Sequence, residues 1–143
     1  MTRFHVLGTP EPQGSARAFV VKGRAVVTSA NPKMKGWRDR IATEAQAAGV
    51  EFIEQGPVVV RAEFRMPRPK SAPKRAVVPV TRPDLDKLGR SCLDALTGIC
   101  YRDDSQVVTL SLTKVYAEIG EPSGAWIDVL RGWTVGGAPS DQA

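Results

Sequence analysis

Four aspartates carry the chemistry this sequence can offer: Asp84 and Asp86, separated by one leucine, and the adjacent pair Asp103 and Asp104 further along. Three carboxylates held within about 4 Å of one another repel by roughly 4 kcal/mol per pair at an effective dielectric near 20, unless a cation lies among them. The chain has one histidine, His5, and two cysteines, Cys92 and Cys100, in no C-x-x-C arrangement. Zinc therefore lacks a donor set, and oxygen ligands alone select Mg²⁺, with Mn²⁺ as a substitute. Such an ion activates water for in-line attack on a phosphodiester, with Lys87 or Arg90 offsetting transition-state charge from within one helical turn of Asp84 and Asp86. A structural reading competes. Asp84 suits a helix N-cap, Asp86 the positive end of the helix dipole, Asp103 and Asp104 an Asx turn, and Asp86 with Arg90 a surface ion pair. The two readings part at Asp84→Asn, which preserves a cap and destroys a metal site.

The element between the acidic pairs decides whether they can meet. Leu85, Leu88, Cys92, Leu93 and Leu96 recur at helical spacing, which predicts a helix over 84–97 stopped by Gly98. At about 1.5 Å per residue it spans about 21 Å. Residues 98–104, fully extended, reach back roughly 23 Å. Asp104 thus returns to the helix start only along a nearly straight antiparallel path; otherwise a partner subunit must supply it.

The remaining elements read as a strand at 4–8, a hairpin of 18–21 and 24–28 across Lys22-Gly23, and an amphipathic helix from Asn31-Pro32 to Gly49. The exposed side of that helix holds Lys33, Lys35, Arg38 and Arg40. Strict alternation of Val58, Val60, Ala62, Phe64 and Met66 with Val59, Arg61, Glu63 and Arg65 marks a half-buried strand. Strands are also expected at 106–117, with Val108, Leu110 and Leu112 on one face, and at 125–130. Charge is uneven: residues 1–82 carry 15 Lys and Arg against 6 Asp and Glu, whereas residues 83–143 carry 5 against 9. Between 67 and 83 lie five prolines with Arg68, Lys70, Lys74, Arg75 and Arg82. These read as a flexible basic flap for phosphate backbone, or as a solvated linker. No aromatic residue in it supports stacking on unpaired bases.

Length and composition fit one domain over 1–133 with a disordered tail at 134–143. No apolar run approaches the ~20 residues of a bilayer span, and no phosphate-cradling glycine loop is present. The expected location is the cytoplasm, consistent with unpaired cysteines.

Three segments in order, Arg82-Pro83-Asp84-Leu85-Asp86-Lys87-Leu88, Asp94-Ala95-Leu96-Thr97-Gly98 and Asp103-Asp104-Ser105-Gln106-Val107, resemble the signature of the RusA family of Holliday-junction resolvases. Gly8-Thr9-Pro10 and the basic turn through Arg17 are similar to the opening of its phage and prophage members. The resemblance implies a small α+β fold with a mixed β-sheet packed by two main helices. It also implies a symmetric homodimer acting on branched DNA in a bacterial or phage-infected cell, without organic cofactor or membrane. By the same resemblance Asp84, Asp86 and Asp104 are the metal ligands and Asp103 their support. Two positions depart from the pattern: Lys87 stands where the family often has asparagine, and Arg90 where it has a catalytic lysine. Arginine keeps the charge but does not readily release a proton.

The function so implied is Mg²⁺-dependent resolution of four-way junctions by paired symmetric nicks, for which a two-fold dimer is the economical arrangement. Arg17, Arg68, Lys70, Lys74, Arg75 and Arg82 are the expected DNA contacts. Two alternatives stand beside it: another structure-selective nuclease acting on flaps or forks, and a non-catalytic branched-DNA-binding protein whose aspartates are caps.

Overall fold

The alternation at 58–66 becomes the hub of the molecule. In the computed structural model, which describes residues 2–14, 16–29, 31–135 and 138–139, Val58–Met66 forms β4, whose residues 58, 60, 62, 64 and 66 are all buried. It lies between β6 (Gly124–Arg131), antiparallel, and β5 (Val107–Tyr116), parallel; β1 (Thr2–Leu7) completes a mixed sheet in the order β1-β6-β4-β5. Two helices, α1 (Met34–Ala47) and α2 (Leu85–Leu96), cover one face. The fold is therefore a small single α+β domain with a mixed sheet and two main helices, as expected.

Local chemistry explains the elements. The turn joining β2 (Ala16–Val21) to β3 (Arg24–Ser29) has positive φ at both Lys22 (51°) and Gly23 (78°), the conformation that matches the twist of a two-residue hairpin. Asn31 Oδ1 accepts from Lys33 N–H (3.1 Å), turning the chain just before α1 begins at Met34. In α1, Met34, Trp37, Ile41 and Ala45 are buried at helical spacing. The cations on its other side serve structure: Lys35 pairs with Asp39 (2.9 Å), Arg38 approaches Asp94 of α2 (3.9 Å), and Arg40 Nη1 donates to Leu7 O (3.1 Å). In α2, Leu88, Cys92 and Leu96 face the core, and Gly89 lets the helix lie against β5, since a Cβ there would stand 2.3 Å from Leu112 Cδ1.

The connection β4-α2-β5 carries the functional consequence. A parallel pair needs a crossover, here the helix α2, so β5 runs back alongside it and the two ends of α2 lie at opposite ends of the sheet. The opposite sheet face is largely polar, with Arg3 near Asp128 (3.6 Å) and above the Trp126 ring (4.9 Å). Cys92 and Cys100 are both free and buried, and burial pushes each thiol up to about 12.

Two further segments make defined contacts. Residues 67–83 form no regular element, and Arg68 bonds part of the loop to its surroundings. Arg68 donates to the carbonyls of Pro73 (3.0 Å), Ala76 (2.7 Å) and Ala117 (3.4 Å), and lies 5.1 Å from the Tyr116 ring centroid. In the C-terminal segment Thr134–Val135 (β7) pairs with Ala138–Pro139 (β8). The rest of 136–143 lies outside the described residues.

Candidate active site

Asp84 precedes α2 at its N-cap position with an extended backbone (φ −69°, ψ 140°), yet its side chain makes no capping hydrogen bond. The carboxylate that a cap would occupy is exposed and uncommitted. Asp86, in the first turn, is exposed as well. Among the described residues neither it nor Arg90 joins an ion pair, so the surface-pair reading of Asp86 and Arg90 fails. Both carboxylates stand at the helix end whose unpaired N–H groups attract anions, a phosphate included.

Asp103 behaves differently. Its Oδ1 accepts from Ser105 N–H (2.9 Å) and Gln106 reaches back to the Asp103 N–H (2.9 Å), a reciprocal cap on the short 3₁₀ turn Asp104–Gln106. Those bonds from Ser105 hold its carboxyl below the ordinary carboxylate range. Asp103 is thus the residue for which the capping account holds, and it orients the exposed Asp104 beside it.

Within one chain Asp104 does not return to the start of α2. After the helix the chain turns at once: Gly98 N–H donates to Tyr101 O (2.7 Å), and Tyr101 is buried with its hydroxyl donating to Leu93 O (3.1 Å). Gln106 then anchors to the carbonyls of Ile53 (3.0 Å) and Gly56 (3.2 Å), next to the start of β4. The straight antiparallel path is absent because this turn, rather than an extended segment, follows Gly98. Asp104 therefore sits at the C-terminal end of α2, and twelve helical residues at about 1.5 Å each separate that end from Asp84 by about 18 Å. In agreement, no group of three His, Cys, Asp or Glu able to hold a metal exists within the chain among the described residues.

At the Asp84 end a cleft of about 800 Å³ opens between the N-terminal turn 9–14, the proline loop and the C-terminal ends of β4 and β5. Asp84, Arg82, Lys87 and Lys114 line it; Asp86 and Asp104 do not. The N-terminal turn is docked by Gln13 N–H donating to Lys87 O (2.9 Å) and by Ser91 Oγ donating to Glu11 O (2.6 Å). Lys114 Nζ donates to Thr81 O (2.7 Å) and Pro83 O (2.8 Å), so it holds the segment leading into Asp84. Sequence reasoning passed over Lys114; its signal was a lone charge in the otherwise uncharged run 107–116.

Of the expected DNA contacts, Lys70, Lys74, Arg75 and Arg82 are exposed, whereas the Arg68 guanidinium is already engaged within the loop. The side chain of Arg17 lies outside the described residues.

Free carboxylates at a helix start, flanked by cations and an open cleft, are the equipment of a phosphodiester-cutting enzyme, and comparison agrees. The family model described as Endodeoxyribonuclease RusA matches residues 9–122, and the chain belongs to that family. It is accordingly an endodeoxyribonuclease of the class that resolves Holliday junctions and binds branched DNA. The chain is also similar to the "Uncharacterized protein YqaN" of Bacillus subtilis (strain 168), 35% identical over 127 residues, which covers 81% of this chain and 88% of that protein. No helix among the described residues is long and apolar enough to cross a membrane.

Proposed function

We propose that this chain resolves four-way DNA junctions as a homodimer in which each active site combines Asp84 and Asp86 of one copy with Asp104 of the other. The observation that carries the reading is the uncommitted Asp84 carboxylate at the head of α2, with Asp104 stationed at the opposite end of the same helix. Three exposed carboxylates without His or Cys suit a hard cation that keeps part of its water shell, so Mg²⁺ or Mn²⁺ fits the donor chemistry. When bound, such an ion polarises the phosphate and makes water a stronger nucleophile at neutral pH.

The chain's own residues do the rest. The cleft beside Asp84 receives the phosphate backbone, with Lys87 and the first-turn N–H groups of α2 opposing its charge. Arg90, one turn further, stabilises charge without donating a proton. Lys114 holds Thr81 and Pro83 so that Asp84 stays at the mouth of the cleft. Exposed Lys70, Lys74, Arg75 and Arg82 grip flanking phosphates. Two sites related by a two-fold axis then nick two strands of a junction that is itself two-fold symmetric.

A labelled four-way junction tests this. The wild type makes paired nicks with Mg²⁺ and none with EDTA, while Asp84→Asn and Asp104→Asn are each inactive. Mixing the two variants under subunit exchange restores nicking, because half of the sites in a mixed dimer then hold a full carboxylate set. Failure of the mixture to recover would sink the shared site, and nicking in EDTA would sink the metal. Flap and fork competitors in the same assay rank the substrates.

A further inference from the structure

Between Glu11 and Asp39 the chain has no acidic residue, while six Lys and Arg occur there. In the middle of that run stands the hairpin β2–β3, which pairs with itself and lies outside the four-stranded sheet. Its feet are fixed at the cleft. Gly14 before β2 and Asn31 after β3 both line it, and Asn31 Nδ2 donates to Pro12 O (2.8 Å) and Glu11 Oε2 (3.3 Å), clasping one foot to the other. Strands of six residues, at about 3.3 Å each, carry the tip about 20 Å from those feet. None of residues 20–25 lines the cleft.

The tip exposes apolar surface. Val20 is 73% exposed and Val21 45%, and Lys22, Gly23, Arg24 and Ala25 are exposed as well. The register sets Val20 opposite Ala25 on one face and Val21 opposite Arg24 on the other, with Lys22 in the turn. One face of the tip is thus apolar, and cations border it. Among the described residues no hydrogen bond or ion pair joins 20–25 to any element outside the hairpin. A two-stranded hairpin is marginally stable by itself in water, so covering those valines stabilises it.

Charge and shape together select what covers them. Phosphates match Lys22 and Arg24. The apolar face calls for a surface that a continuous duplex keeps hidden, the flat face of a base pair. A branch point interrupts stacking and opens such faces beside converging phosphates. Apolar side chains of architectural proteins enter base steps in this way. Reading the major groove instead requires hydrogen-bonding side chains, which Val20 and Ala25 lack.

We propose that the β2–β3 hairpin is a branch-point wedge, in which Val20 and Ala25 cover an opened base-pair face while Lys22 and Arg24 hold the phosphates beside it. The inference rests on the reading of the cleft beside Asp84 as the seat of the cut strand. It adds the means by which a branch is told from plain duplex, since the feet of the wedge are part of that cleft.

A four-way junction carrying 2-aminopurine at the branch point tests this, in EDTA so that no strand is cut, against a linear duplex of the same length. Wild-type protein is expected to raise the junction's fluorescence, because the probe base loses its stacking neighbour, and to leave the duplex dark. Val20→Ser with Val21→Ser is expected to lose that rise and to bind the junction about 10-fold more weakly, with unchanged duplex affinity and circular-dichroism spectrum. Lys22→Ala with Arg24→Ala should lower the salt slope of junction binding by about two. Flat fluorescence with the wild type, or a valine variant that keeps both the rise and the affinity, overturns the wedge. A valine variant that alters sedimentation of the free protein also overturns it, since the tip would then join copies of the chain. Loss of the wedge with Asp84→Asn still inactive leaves the cleft reading standing; a confirmed wedge with Asp84→Asn still nicking removes the cleft reading alone.

Discussion

At the scale of single residues, what a carboxylate is bonded to separates a capping aspartate from one left free for chemistry better than where it falls in the sequence. Asp84 and Asp103 both occupy cap positions, but only Asp103 caps. Asp84→Asn is therefore expected to shift stability by no more than about 0.5 kcal/mol in urea titration, as an exposed substitution without partners does. Its junction cleavage should fall on the order of 100-fold or more; since Asn caps as well as Asp, it is Asp84→Ala whose loss of about 1 kcal/mol would show that the side chain caps after all. Cys92 offers a second test. Its thiol is raised from 9.0 to about 12 by burial first and by Cys100 second. The unfolded chain ionises this group near pH 9 while the folded one keeps it neutral, so its stabilisation is complete below pH 9 and is lost as pH rises toward 12. Between pH 8 and pH 10 the folding free energy should drop by roughly 1 kcal/mol from this thiol alone. Cys92→Ala, though less stable at neutral pH, should show a shallower alkaline slope in urea midpoints.

At the scale of elements, what was legible from sequence was local. The hairpin followed from Lys22-Gly23, β4 from its alternation, and α2 from its leucine spacing, each within a residue or two of the observed bounds. The three-part acidic pattern likewise pointed to the family. What stayed hidden depended on partners distant in sequence. Nothing near residue 107 announces that β5 pairs parallel to β4, and that pairing is what carries Asp104 away from Asp84. Prolines correctly excluded regular structure from 67–83, but the first part of that loop is held by one guanidinium reaching three carbonyls, and its last part by Lys114. Removing the guanidinium should therefore loosen the loop locally. Arg68→Ala is expected to cost about 1–2 kcal/mol and to speed trypsin cutting at Lys70, Lys74 and Arg75; Arg68→Lys should rescue little, since an ammonium lacks the planar fork. Unchanged cutting would show that the loop is held by other contacts.

At the scale of the whole molecule, basic charge is divided between the N-terminal part and the proline loop, with acidic residues at either end of α2. If the loop lysines meet phosphate, replacing Lys70, Lys74 and Arg75 with alanine should reduce the salt slope of junction binding by about one unit for each phosphate no longer neutralised. Fluorescence anisotropy across a salt series measures it, and an unaltered slope would place the DNA elsewhere. The sheet order has a separate implication, for synthesis on the ribosome. β6 is the late strand inserted between β1 and β4, so neither early strand has its shared neighbour until Arg131 has emerged. During translation β1 and one border of β4 thus wait unpaired until β6 is made, so the sheet cannot close before that strand has emerged.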